Sequence, residues 1–298
     1  MEWHARLQDY LAPRVALVNR ALEAYLAHDQ PLLRQLPEAM RYAALGAGKR
    51  LRPILCIAAA ETAGADAEQV LPTACALELI HAFSLVHDDL PAMDNDRLRR
   101  GQPTVWVKYG EAMAILAGDA LFAKAFELIA RQAELSPAER VVAVLRLIAE
   151  ATGLQGMCGG QAEDILSEGQ AVSAEQLRTI HAHKTGALIR ASVLSGAILA
   201  GATPDQLHAL DAYSRALGLA FQITDDILNE TATPEQLGKP VGSDRARRKA
   251  TYTTLYGIEM AREHARQAYQ EALSALSCFD QRAEPLRWLA TYAVERTH

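Results

Sequence analysis

Leu77-Glu78-Leu79-Ile80-His81-Ala82-Phe83-Ser84-Leu85-Val86 runs through His87 into Asp88-Asp89-Leu90-Pro91-Ala92-Met93-Asp94-Asn95-Asp96, an apolar stretch followed by four acids in nine residues. The apolar run is hydrophobic on nearly every side, which marks an interior helix. Its C-terminal end already carries partial negative charge, so the acids there need a metal ion or basic groups to offset them. A buried helix that ends in crowded carboxylates raises a metal-dependent site as the first functional hypothesis.

Outward from this stretch, apolar residues three and four apart dominate, and no alternating run is long enough to read as a strand. The chain therefore reads as all-α, one domain over residues 1–298. Residues 5–27 form an amphipathic helix in which Pro13 marks a kink or the true start. Helices follow from Leu33, from Ile54 with Pro53 in its first turn, and over 71–90, where Pro91 makes continuation difficult. Further helices cover 112–131, interrupted only at Gly118-Asp119, and 138–154; Asp119 reads as a buried acid paired with a base. Gly153, Gly156, Gly159 and Gly160 cluster before Gln161 and Asp164 and signal close packing or a break. A helix through His181, His183, Lys184 and Thr185 continues to Ala200. The next, 205–229, ends in Thr224-Asp225-Asp226-Ile227-Leu228-Asn229-Glu230, so a second apolar helix terminates in acids. A basic loop with Lys239, Arg245, Arg247, Arg248 and Lys249 precedes two last helices, 251–276 and 284–296.

Half of the 298 residues are hydrophobic and 22% are charged, the composition of a folded globular protein. A net charge of −6 argues against a general nucleic-acid binder. Cys56, Cys75, Cys158 and Cys278 form no C-x-x-C pair, so neither a zinc site nor a disulfide framework is suggested. No secretory pattern opens the sequence, and no window offers about 18 uninterrupted apolar residues. A cytoplasmic protein without stable membrane insertion is expected.

Two acid clusters at the ends of two buried helices can build one metal site across a bundle. Oxygen-only ligands favour Mg²⁺, which joins carboxylates to substrate phosphates while neighbouring Lys and Arg hold the remaining oxygens. The nucleotide motifs G-x-x-x-x-G-K-[ST] and G-x-G-x-x-G are absent. A charged mouth over apolar walls fits instead a diphosphate on a hydrocarbon tail.

With Gly48-Lys49-Arg50-Leu51-Arg52-Pro53, His81 to Arg100, Gly156 to Gln161 with Asp164, His183-Lys184-Thr185-Gly186, Phe221-Gln222 with Asp225-Asp226, and Leu237-Gly238-Lys239 together, the chain resembles the short-chain trans-polyprenyl diphosphate synthases, farnesyl diphosphate synthases above all. The resemblance implies the all-α isoprenoid synthase bundle, with isopentenyl and allylic diphosphates as substrates. It also implies three Mg²⁺ per active site and a homodimer. It makes Asp88, Asp89, Asp94 and Asp225 metal ligands, and adds Asp226 and Lys184 to the catalytic set. Lys49, Arg52, His81 and Arg100 would hold isopentenyl diphosphate. Arg99, Lys184, Thr185, Gln222 and Lys239 would hold the allylic diphosphate. An aromatic residue five before the first Asp, here Phe83 beside Ser84, tends to stop elongation at C15.

One position departs from the family pattern: Asn229 stands where the second motif usually has Asp, which implies reduced metal affinity. The alternatives to a farnesyl product are a geranylgeranyl diphosphate synthase, a terpene cyclase, which would not need Lys49, Arg52 and His81, and a non-catalytic partner subunit.

Overall fold

The computed structural model describes residues 2–28, 33–231 and 249–296. In chain order the helices are α1 Glu2–Tyr25, α2 Gln35–Leu45, α3 Leu51–Thr62, α4 Leu71–Asp88, α5 Val105–Tyr109, α6 Glu111–Arg131 and α7 Ala138–Thr152. They continue as α8 Met157–Leu166, α9 Ala174–His181, α10 Ala187–Ala200, α11 Pro204–Thr231, α12 Tyr252–Tyr256, α13 Ile258–Ala275 and α14 Glu284–Glu295. Between α4 and α5 the strands β1, Leu98–Arg99, and β2, Gln102–Pro103, pair antiparallel. Two residues are too few to show alternation, so this hairpin is invisible to periodicity.

The all-α reading holds, and α4 is the interior helix that its composition requires, with Leu77, Leu79 and Ile80 wholly buried. It packs on α6 and α3, while α10 packs on α3, α7 and α11, so α4 and α10 are enclosed by their neighbours. Two apolar clusters result. One joins α4, α6 and α7 through Leu77, Leu121 and Val144. The other joins α1, α3, α10 and α14 through Leu7, Ile54, Val193 and Leu286. By length and composition, 67–88 and 138–166 could each cross a membrane; the first is two-thirds buried inside the protein.

Several local expectations are corrected. Helix α1 starts at Glu2 and runs through Pro13, so the proline does not begin it. Leu7, Val18 and Leu22 are fully buried on both sides of Pro13, and that packing carries the helix across the missing N–H. Gly118 does not interrupt α6; a Cβ there would lie 2.2 Å from Nε2 of His87, so the glycine permits α6 to approach α4. Asp119 is not buried: its side chain is 62% exposed, 3.9 Å from His87. The side chain is open to solvent beside His87 of α4, which apolar neighbours in sequence could not reveal. The expected helix 251–276 is two helices, divided at Gly257, whose φ of +76° no helix accommodates.

Candidate active site

The end of α4 folds back on itself. The Asp94 N–H donates to the Asp88 carbonyl at 2.8 Å and the Asn95 N–H to the Leu90 carbonyl at 3.0 Å, which returns Asp94 to the side of Asp88. Asp89 is buried and held by Arg99 of β1, whose Nη2 and Nε donate to Oδ1 at 2.6 and 2.9 Å. The hairpin thus places Arg99 on the first acidic motif, with Asp96 at 3.7 Å as a further anionic neighbour. Asp88 accepts from Gln161 Nε2 at 3.0 Å. Burial pushes its carboxyl up to about 6; Lys184 opposes the rise, while Asp94 and Asp89 add to it. An acid in that state gains from any cation that arrives.

Between α9 and α10 the backbone takes a π turn over Ala182–Gly186. The sequence reads as continuous helix here, but the turn inserts an extra residue and re-aims Lys184 and Thr185. Gly160 makes the approach of α8 to this turn feasible, since a Cβ would sit 2.3 Å from the Lys184 nitrogen. Lys184 Nζ then reaches Asp164 at 2.6 Å, and Lys249 reaches the same oxygen at 2.9 Å. Although burial opposes it, the two ammonium groups hold Asp164 below the usual carboxylate range. Lys249 also stands 4.0 Å from Asp94.

The next residue reaches the second acidic motif. Thr185 Oγ1 donates to Gln222 at 2.8 Å, and Gln222 Nε2 donates to Asp226 at 3.1 Å. Asp226 is buried and accepts from the Tyr252 N–H at 2.8 Å, so its oxygens serve the frame of α11 and α12. Asp225 pairs with Arg296 at 2.5 Å, and the guanidinium lies over the Phe221 ring at 3.8 Å. Asn229 is buried one turn further on, and Glu230 is exposed.

A third group contains the bases expected to hold isopentenyl diphosphate. Burial pushes Arg52 down to about 10, with Glu78 opposing, Arg100 adding and Asp225 opposing. Burial also drives His81 well below its ordinary value, and Arg52, Arg100, Arg99 and Arg50 all act in the same direction. Among the described residues, Arg52 Nε and His81 Nδ1 are buried without a hydrogen-bond partner. Buried polar atoms left in this condition among like charges mark a place built for an anion. Arg100, in a left-handed conformation, donates to the Ala47 carbonyl. Lys49 is exposed, its Nζ 5.3 Å from the centre of the Tyr292 ring. Lys239 lies outside the described residues.

Along α4 from Asp88, Ser84 Oγ donates to the His81 carbonyl at 2.9 Å. Phe83 sits edge-on to His87 with centroids 4.8 Å apart and tilted against Phe122 of α6 at 4.9 Å, with Phe126 behind Phe122 at 5.0 Å.

Among the described residues no three His, Cys, Asp or Glu side chains form a ready-made metal cage. Mg²⁺ takes one or two carboxylates and completes its shell with water and substrate phosphate. Asp88 and Asp94, with Asp225 opposite Arg296, offer the oxygen donors for it. Asp89 is already satisfied by Arg99, and Asp226 by Tyr252 and Gln222. Their motifs give Gln161, Asp164 and Lys249 no role in the sequence, and Arg296, just past the end of the last helix, carries no local signal.

Comparisons agree with this geometry. The polyprenyl synthetase family model matches residues 33–284. A dimethylallyltranstransferase of Fischerella ambigua (strain UTEX 1903) is 48% identical over 98% of this chain and 84% of its own length. A geranylgeranyl diphosphate synthase of Cyanophora paradoxa is 45% identical over 100% of this chain and 99% of its own. The crystal structure of an FPP/GFPP synthase from Zymomonas mobilis superposes with a TM-score of 0.87 at 37% identity, covering 97% of this chain and 99% of that one.

Proposed function

The chain belongs to the polyprenyl synthetase family and is an enzyme that transfers prenyl groups, and from that premise we propose that it condenses isopentenyl diphosphate with dimethylallyl and geranyl diphosphate to give (2E,6E)-farnesyl diphosphate. The observation that carries this reading is the cluster of the half-buried Arg52 and His81 beside the exposed Arg100, in which two buried polar atoms lack partners among the described residues. It supplies an anion site additional to the acidic motifs. A terpene cyclase, with one diphosphate substrate, has no use for a second one, and a non-catalytic subunit has no use for either.

In this reading each group of side chains has a task. Arg52 and Arg100 grip the isopentenyl diphosphate by charge, and Lys49 closes its outer side. His81 stays neutral among the arginines and offers a hydrogen bond without adding charge. Lys184, Thr185 and Gln222 orient the allylic diphosphate, and Lys239 completes that set. Arg99 neutralises Asp89 and keeps the first motif from repelling the substrate. Asp88, Asp94 and Asp225 would hold divalent cations, taken as three Mg²⁺, which would withdraw charge from the allylic diphosphate. The allylic C1–O bond breaks, the isopentenyl double bond attacks C1, and a proton passes to the freed diphosphate. The apolar face of α4 keeps water from the cation in the interval.

We attribute product length to Phe83, which would form the floor of the hydrocarbon pocket beside Ser84; its ring packs against Phe122. A geranylgeranyl product is the second reading, because the relative from Cyanophora paradoxa bears that name at 45% identity. We read the chain as one catalytic domain over 1–298 that works as a cytoplasmic homodimer. The decisive experiment is incubation with isopentenyl diphosphate, dimethylallyl or geranyl diphosphate and Mg²⁺, followed by product chromatography. A C15 diphosphate is expected. Absence of condensation would overturn the reading, and a C20 product would replace the farnesyl assignment.

A further inference from the structure

Arg50 lies between Lys49 and Arg52 in sequence, yet it does not join them. Its backbone is left-handed, with φ 51° and ψ 36°, which turns the side chain inward. Few arginines adopt that conformation without something to hold them there. The guanidinium is 5% exposed and fully engaged: Nε donates to Asn19 at 2.8 Å, Nη1 to Glu78 at 2.8 Å and Nη2 to the Gly46 carbonyl at 2.9 Å. Glu78 is equally buried and stands one turn before His81 on the same face of α4.

Glu78 is therefore an acid placed inside a group of bases whose task is to receive an anion. Among the charges acting on Arg52, Glu78 comes ahead of Arg100 and Asp225. The same holds at Arg100, where it comes ahead of Arg99 and Arg50. A carboxylate with that reach, released from its own partner, would turn to either arginine and cancel the charge meant for substrate. Burial makes the competition strong, because an acid in a dry site does not remain unpaired.

We propose that Arg50 is a positioning residue that sequesters Glu78, so that Arg52, His81 and Arg100 keep their charge and their donors for the isopentenyl diphosphate. The inference rests on the assignment of that cluster under the proposed function. It also accounts for a basic residue that binds no substrate inside a run of bases that do. The Arg50–Glu78 pair fastens the turn after α2 to α4, and its second effect is electrostatic: it confines one negative charge.

The test is a charge cycle, with the Michaelis constant for each substrate measured separately and isopentenyl diphosphate binding checked by calorimetry. Arg50→Met is expected to raise KM for isopentenyl diphosphate about tenfold or more, a loss of about one decade of binding. KM for geranyl diphosphate should stay within about twofold. Glu78→Gln alone should leave the isopentenyl KM unchanged or lower it, and Arg50→Met with Glu78→Gln should return it to within about threefold of wild type. Failure of the double variant to rescue, a rise in both KM values together, or a rise on Glu78→Gln alone would overturn the proposal. If Arg50→Met does not fold, the double variant decides, since replacement of a whole buried pair is well tolerated, and a raised isopentenyl KM in it overturns the proposal. A wild-type enzyme that performs no condensation would refute the proposed function instead, so the two failures are distinguishable.

Discussion

Replacing Phe83 by Ala removes six ring carbons from the wall of α4, five residues before Asp88 and about 7.5 Å along the helix from it. An isoprene unit contains five carbons, so the space released matches one further round of condensation. The ring is partly buried and is held edge-on by His87 and tilted by Phe122, with centroids within 4.9 Å. Those contacts hold the ring in place on α4, and they also set the cost of its loss. Phe→Ala in a full core costs about 3–5 kcal/mol, and a half-buried ring with two aromatic neighbours should cost about 2 kcal/mol, which a folded enzyme survives. The assay is chromatography of products made from geranyl diphosphate and excess isopentenyl diphosphate, beside a thermal melt of the same preparation. The wild type should stop at C15 and Phe83→Ala should give mainly C20. Phe122→Ala, which removes the backing and leaves the floor ring in place, should give a mixture of the two lengths. A folded Phe83→Ala protein with an unchanged product, or a wild type that already makes C20, refutes the assignment of Phe83 as the floor.

Three other outcomes are expected. Burial raises Asp88 to about 6 against an unfolded value near 4, so the folded metal-free protein binds more protons between those values and its stability falls as pH rises through that window. Urea unfolding without metal should show Asp88→Asn gaining on wild type by about 2 kcal/mol between pH 4 and 7, and a pH-independent difference counts against it. Asn229→Asp should lower the Mg²⁺ concentration needed for half-maximal activity several-fold and lower the metal-free melting temperature, because position 229 is only 8% exposed and an added carboxylate there lacks solvent. An unchanged metal titration would remove Asn229 from the account of metal affinity. Gly160→Ala should lose most activity with a stability cost of about 1–3 kcal/mol, since the new Cβ meets the Lys184 backbone at 2.3 Å; full activity would mean that the π turn tolerates displacement.

The sequence by itself determined the helices, because each is a local pattern of apolar spacing, and it determined that two of them end in acids. It also identified the bases, since Lys49, Arg52 and Arg100 stand in runs that attract attention as runs. Beyond that, the partner of each charge depended on packing. Asp89 meets Arg99 only because a two-residue hairpin turns there, and Asp225 meets Arg296 across the distance from α11 to the end of α14. The π turn at 182–186 left no trace in periodicity, yet it directs Lys184 to Asp164 and Thr185 to Gln222. Asp119 looked buried because its neighbours in sequence are apolar, yet its side chain is exposed beside His87 of α4. Arg50 is the clearest case. In sequence it is one base among the three of Lys49-Arg50-Leu51-Arg52, and only the left-handed turn and the buried Glu78 that it meets distinguish it from Lys49 and Arg52. Apolar spacing is written along the chain and is read locally, whereas the field at a buried charge is the sum over helices that the chain order does not bring together.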